Sequence, residues 1–271
     1  MILNKLIRAL SRTSPYKEVG ISWITEKTIK HTKSKGLSSI NLKGYKFFYN
    51  TRNELVQCLI EIFTEESYKF YSNKEDPLIF DCGSHIGSSI LYFKMLYPKC
   101  KIIAFEPDSV NFQVLTKNIE TWGFENISVL QNPVWNSDEE ITFHAEGSMD
   151  GKISNNNLNT NNTIKLKAIR LSDQINSEID FLKIDIEGSE YEVIVDCKEK
   201  LHYVNNIFIE YHSTFSENYK LIEILSILQE TGFNYYIKES NNLYPKPFNR
   251  KKRNYSPFDL QLNIFAFRDS K

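Results

Sequence analysis

From residue 78 onward, short apolar runs alternate with stretches whose apolar positions recur every three to four residues. The runs predict strands at 78–82, 101–106, 126–131, 180–185, 205–211 and 262–267. The stretches between them predict helices at 87–97, 109–122, 188–199 and 216–231. Such alternation is the signature of an α/β domain of Rossmann-like form, a central, mostly parallel twisted sheet with helices on both faces. Upstream, residues 1–50 are mixed and turn-rich, with a hairpin expected around 41–47. Residues 54–71 have helical periodicity through Leu55, Leu59, Ile62 and Phe63, and Asp76-Pro77 ends that segment. The pattern therefore divides the chain into a helical and hairpin extension, 1–75, packing on a core domain, 76–271.

Residues 132–170 interrupt the alternation. Two β-like pieces, 140–144 and 163–169, flank an Asn-rich tract at 155–162 that reads as a mobile loop. His144 within this insert is a candidate substrate contact, whereas His31 and His202 carry no signal. Residues 244–257, with the run Arg250-Lys251-Lys252-Arg253, read as a long surface loop. Such a run is ordinarily a solvated tip, and the same charges suit an anionic substrate or headgroup.

Composition narrows the classes. The 271 residues carry 33 basic and 34 acidic side chains, a net charge of −1, so global electrostatics favour no polyanionic partner such as nucleic acid. Cys58, Cys82, Cys100 and Cys197 lack metal or disulfide spacing, which suits a reducing compartment. No apolar run approaches the roughly 20 residues of a membrane span. Asn4, Lys5 and Arg8 interrupt any signal-peptide core. Ile2, Leu3, Leu6, Ile7 and Leu10 form a helical stripe opposite Lys5, Arg8 and Arg12, expected to dock on the protein's own body, with weak peripheral membrane contact as the alternative. A cytoplasmic location is the expectation.

The first chemical motif is Asp81-Cys82-Gly83-Ser84-His85-Ile86-Gly87, at a strand end that opens a helix, followed by Glu106-Pro107 at the next strand tip. Glycines admit close backbone approach to a ligand, and a carboxylate at the second strand tip accepts hydrogen bonds from ribose hydroxyls. Glu106 follows Gly83 by 23 residues, close to the roughly 20 expected of such adenosine sites. A pyrophosphate wants a barer loop and would be repelled by Asp81. A ligand with an ammonium, a carboxylate and a sulfonium fits better, and S-adenosylmethionine is that ligand.

The second motif is Asp185-Ile186-Glu187-Gly188-Ser189-Glu190, after a buried-looking strand, with Glu210 and His212 at the end of the next strand. Alternation in extended backbone puts Asp185 and Glu187 on one side. Neighbouring parallel strands bind ligands beyond their carboxyl ends, so these groups converge on the first motif's ligand. Plainer roles exist for most of them. Glu187 suits a helix N-terminus, Glu190 and Glu192 suit a helix surface, and His212 suits a satisfied loop histidine. Asp185 lacks such a role.

Together with Asn132-Pro133-Val134 and the 111–119 helix, these motifs resemble the FkbM-type methyltransferase family over roughly residues 60–240. That family commonly has Ala and Asn where this chain has Ser84 and His85. The resemblance implies a class I S-adenosylmethionine-dependent fold, O-methylation of a sugar or natural-product hydroxyl, and cofactor contacts that include Asn132 and Asp185. For the chemistry, His212 is the first candidate base and Asp185 the second, with Glu187 beside them. A Mg²⁺ ion on Asp185, Glu187, Glu210 and His212 is the less favoured alternative, because histidine is a poor ligand for it. Rival functions are methylation of another small-molecule, lipid or nucleic-acid acceptor, or a non-catalytic ligand-binding module. The nucleic-acid reading wants a basic face or an amino-methylation motif, and neither is evident.

Overall fold

A computed structural model describes residues 21, 36–144, 152–153, 163–253 and 256–269. The Asn-rich tract, the N-terminal stripe, His31 and the side chain of His144 lie outside the described residues. The first elements form a hairpin, β1 (Ser38–Leu42) and β2 (Tyr45–Tyr49), turned by Lys43 and Gly44 at φ 48° and 95°. Positive φ at both central residues matches the right-handed twist of the strands. Helix α1 (Arg52–Cys58) starts from a capping box between Thr51 and Glu54 and continues as a π-helical turn, Leu59–Thr64. It stops there rather than running to 71. Glu66 leaves the helical region at φ 52°, and the apolar positions beyond it pack from an irregular segment, Tyr68 on Phe208 and Phe70 on Phe181.

The αβ alternation then proceeds through β3 (Leu78–Cys82), α2 (Ser88–Leu96), β4 (Lys101–Phe105), α3 (Ser109–Trp122) and β5 (Ile127–Leu130). The insert follows: β6 (Val134–Trp135), β7 (Glu140–His144), β8 (Lys152–Ile153), β9 (Thr163–Lys167) and β10 (Ile169–Arg170). It builds a small antiparallel sheet, β8-β7-β9, and a separate parallel pair, β10-β6. After the short α4 (Leu171–Gln174) come β11 (Ile179–Ile184), α5 (Glu190–Cys197), β12 (Val204–Ser213), α6 (Asn218–Glu230), β13 (Asn234–Glu239) and β14 (Leu260–Phe267).

The central sheet has the order β13-β14-β12-β11-β3-β4-β5, with β3, β4, β5, β11 and β12 parallel and β14 antiparallel to its neighbours. This is the Rossmann-like class I methyltransferase fold. Strand alternation splits the core into two layers. Phe47, Leu59, Ile90, Phe93 and Phe181 pack on one face, and Phe80, Leu182, Val193, Ile209 and Leu228 on the other. β11 is buried at every position, its charged Asp180 and Lys183 included. Two expectations need correction. Residues 234–239 form an edge strand whose side chains are mostly exposed, so no period-2 burial marks it. β12 runs on to Ser213, so Glu210 and His212 lie within it, paired to Asn263 and Gln261 of β14. They extend past Ile184, the last residue of β11, whose partner is Ile209.

Candidate active site

The loop after β3 is fixed from three sides. The Gly83 and Ser84 amides both donate to Phe105 O at 3.0 Å. Lys183 Nζ donates to Gly83 O at 2.8 Å. A Cβ on Gly83 would stand 1.8 Å from Asp185 O, so glycine is required by close approach of two strand tips as well as by φ 87°. Gly87 (φ 89°) is bare for a different reason. A Cβ there would meet Leu115 Cδ1 at 2.7 Å, so the missing side chain lets α3 pack against the start of α2.

Glu106 is 5 % exposed and accepts from the His85 amide at 2.7 Å and the Asp108 amide at 2.9 Å. Burial pushes its carboxyl up to about 7, against the pull of the His85 charge and the two amide bonds. The His85 side chain does not face outward. Its Nε2 lies 2.7 Å from Glu54 Oε1 as an ion-pair contact without in-line hydrogen-bond geometry. Burial opposes the imidazolium, but Cys58 and Glu54 prevail and raise it to about 10. Sequence reasoning missed Glu54, whose only local signal is the capping box.

Asp81 is fully buried beneath the loop and absent from the cavity wall. Its Oδ2 accepts from Ser89 Oγ at 2.5 Å, and its Oδ1 lies 3.5 Å from Lys183 Nζ. Ser84 likewise turns inward, donating to Asp81 O. Lys183, another residue missed from sequence, is 2 % exposed and also lies 3.2 Å from Asp185 Oδ2. Burial works against its charge, and Asp185 and Asp81 more than compensate, holding the ammonium above its ordinary value. A lysine flanked by Phe181, Leu182 and Ile184, two residues before the strand-tip acid, was the available signal.

The second motif forms an acid–imidazole cluster. Asp185, Glu187 and His212 each present a donor atom within 4.8 Å of the others. Glu187 sits at φ 56° and Gly188 at φ 101°, a left-handed turn that brings the Glu187 carboxylate back toward β12. His212 Nε2 is 3.6 Å from both Glu187 Oε2 and Glu210 Oε1, beyond hydrogen-bond reach. Glu190 is fully buried, which corrects its assignment to a helix surface. It accepts from Gly188 N at 2.9 Å and from His212 Nδ1 at 3.2 Å, and so orients the ring. Burial disfavours the charged imidazole, but Glu187, Glu190 and Glu210 outweigh it and hold His212 well above its usual range. A neutral His212 base therefore meets an obstacle in the unliganded cluster. Glu61, on the π-helical turn, adds a carboxyl that burial, Glu210 and Asp185 push up to about 8.

One cavity of about 810 Å³ joins these parts, within the range of small-ligand sites. Gly83, His85, Glu106, Pro107 and Asn132 line one end, and Asp185, Glu187, Glu210, His212 and Glu61 the other. Asp81, Ser84 and Gly87 support this wall from behind. Asn132 ties the cavity to the insert by donating to Lys167 O at 2.8 Å.

The methyltransferase FkbM domain matches residues 81–235. Methyltransferase sdnD of Sordaria araneosa is 27% identical over 210 residues, covering 64% of this chain and 80% of its own. The hexuronic acid methyltransferase AglP of Haloferax volcanii is 26% identical over 161 residues, 58% of this chain and 62% of its own. The 2-O-methyltransferase NoeI of Sinorhizobium fredii is 27% identical over 159 residues, 51% and 64% respectively. The matched span opens at Asp81, runs through both strand-tip motifs and ends in β13, so it takes in both motif-bearing parts of the cavity wall as well as most of the sheet. With more than half its length inside that domain, the chain belongs to the FkbM methyltransferase family.

Proposed function

We propose that the protein is an S-adenosylmethionine-dependent O-methyltransferase that methylates a hydroxyl of a sugar, glycan or glycosylated metabolite. One observation carries this reading: a single cavity joins an adenosine-type wall to a cluster able to stabilise a developing alkoxide. The residues fit the cofactor. Gly83 and Glu106 line the same cavity, and Glu106, anchored by two amides, keeps lone pairs for ribose hydroxyls. Asp185, which faces both Lys183 and the cavity, is the acid available to a cationic end of the ligand. Asp81 acts through Ser89 and Lys183 instead of by contact. When bound, the cofactor supplies an electrophilic methyl group on a sulfonium.

Asp185, Glu187 and His212 are the residues proposed to act on the acceptor. They orient its hydroxyl and balance the charge it develops, since in-line transfer depends on alignment. The sugar acceptor is supported by the relatives named for hexuronic acid and 2-O methylation. The insert 132–170 is proposed to choose that acceptor, because Asn132 and Pro133 reach the cavity from its base. Residues before 76 act as an extension that completes the site, since Glu54 and Glu61 come from it. Four buried free cysteines accord with a cytoplasmic location, and among the described residues no helix is long and apolar enough to cross a membrane. Incubation with methyl-labelled S-adenosylmethionine and a panel of hexuronic acid and other glycans tests the reading. Label should appear in an alkali-stable methyl ether; label confined to esters, amines or nucleic acid would overturn it.

A further inference from the structure

The cluster at the acceptor end has a geometry that hydrogen bonding does not explain. His212 is 5 % exposed, and its Nδ1 is engaged by Glu190 at 3.2 Å. Its Nε2 instead points into a gap between Glu187 Oε2 and Glu210 Oε1, each at 3.6 Å. That spacing is too long for a hydrogen bond. It is close to the separation of neighbouring donors on one ion, about 3–3.5 Å for bonds of roughly 2.0–2.2 Å. Asp185 brings a further donor to the same place, and the donor atoms of Asp185, Glu187 and His212 all lie within 4.8 Å of one another. The side facing the cavity remains open for another ligand.

We propose that Asp185, Glu187 and His212 form a binding site for a divalent first-row transition cation. Two carboxylates and one imidazole suit Mn²⁺ and its neighbours better than Mg²⁺, which prefers oxygen alone. Glu190 completes the arrangement from behind. It holds Nδ1–H, fixes the tautomer that leaves Nε2 as a lone-pair donor, and is the carboxylate partner that metal-bound histidines commonly have. The ion would bind the acceptor hydroxyl at its open position and lower the hydroxyl's pKa, with Glu210 the nearest remaining carboxylate to take the proton. This deepens the proposed O-methyl transfer and assigns His212 as a ligand in place of a base.

The test is a Mn²⁺ titration of the full chain after chelator treatment, followed by the loss of the free-ion electron paramagnetic resonance signal. One equivalent should bind to the wild type. Asp185→Asn and His212→Gln should each weaken binding at least ~10-fold, and Glu190→Gln by about 10–100-fold through the ring it positions. Circular dichroism and the urea unfolding midpoint identify any variant that has not folded, and Asp185→Asn, at a partly exposed carboxylate, keeps the test available if the others fail. No bound Mn²⁺ in the wild type, or equal binding by folded variants, would overturn the cation site. Methyl transfer that continues at full rate in a metal-free chain would also overturn it, yet leave the methyltransferase reading standing. Bound Mn²⁺ with no transfer to any glycan would do the reverse.

Discussion

Gly83→Ala is the sharpest single perturbation of this fold. A Cβ at that position lies 1.8 Å from Asp185 O, and ordinary contact begins at 3.4 Å, so the two strand tips must part by more than 1 Å. The Asp185 amide donates to Cys82 O at 3.1 Å, and the Gly83 and Ser84 amides donate to Phe105 O, so parting them strains bonds on both sides. Alanine at φ 87° adds about 1–2 kcal/mol of left-handed strain. Overpacking adds roughly 1–3 kcal/mol, and a weakened hydrogen bond about 1 kcal/mol. The expected loss is about 3–6 kcal/mol in urea unfolding followed by far-ultraviolet circular dichroism. Gly123→Ala is the control, because its φ is also positive (67°) but nothing lies within 4 Å of its Cβ. It should cost about 1 kcal/mol. If the two variants lost equal stability, close approach would not be what demands glycine at 83.

Three further outcomes are expected. Glu106→Gln should weaken S-adenosylmethionine binding in calorimetry by about 10–100-fold, the worth of charge-assisted hydrogen bonds, and unchanged affinity would remove Glu106 from the ribose site. His85→Asn tolerates φ 49° but deletes the Glu54 pair. His85 is raised from 6.5 to about 10 on folding, so between those values the folded chain holds a proton the unfolded chain has lost; Glu54 is lowered from 4.5. The stability gap between wild type and His85→Asn should therefore be largest at about pH 4.5–6.5, shrinking as pH rises toward 10 and as it falls below 4.5; a gap that grew with pH would contradict the pairing. Replacing residues 155–162 with a Gly-Ser link should raise KM for the acceptor while sparing cofactor affinity, and unchanged acceptor kinetics would make that tract a bystander.

The central strands were legible because β3, β4 and β11 are buried runs that end in Asp81-Cys82, Glu106 and Asp185, a pattern few other folds generate. β13 was not, since an exposed edge strand has no buried face to set a period. Within the site, polar residues at strand tips announced themselves, while those reaching in from elsewhere did not. Glu54 and Glu61 enter from a helix that precedes the sheet, and nothing local marks their destination. Glu190 has the sequence position of a solvated first-turn acid, and its burial follows from where α5 meets β12. Asp81 is the converse case, a strand-tip acid of the motif whose side chain is enclosed by the loop it supports.

Lys183 touches Gly83 O, Asp81 and Asp185 at once, from a position almost sealed from water. Its charge is thus common property of the nucleotide loop and the acceptor centre, and neither half is a portable module. Grafting the glycine loop alone onto another sheet would strand Asp81 without its counter-ion, and exchanging β11 alone would leave the loop carbonyl unanchored. An engineer who wishes to retarget this scaffold must therefore keep β3 and β11 as one inherited block and confine changes to the insert and the β13–β14 connection.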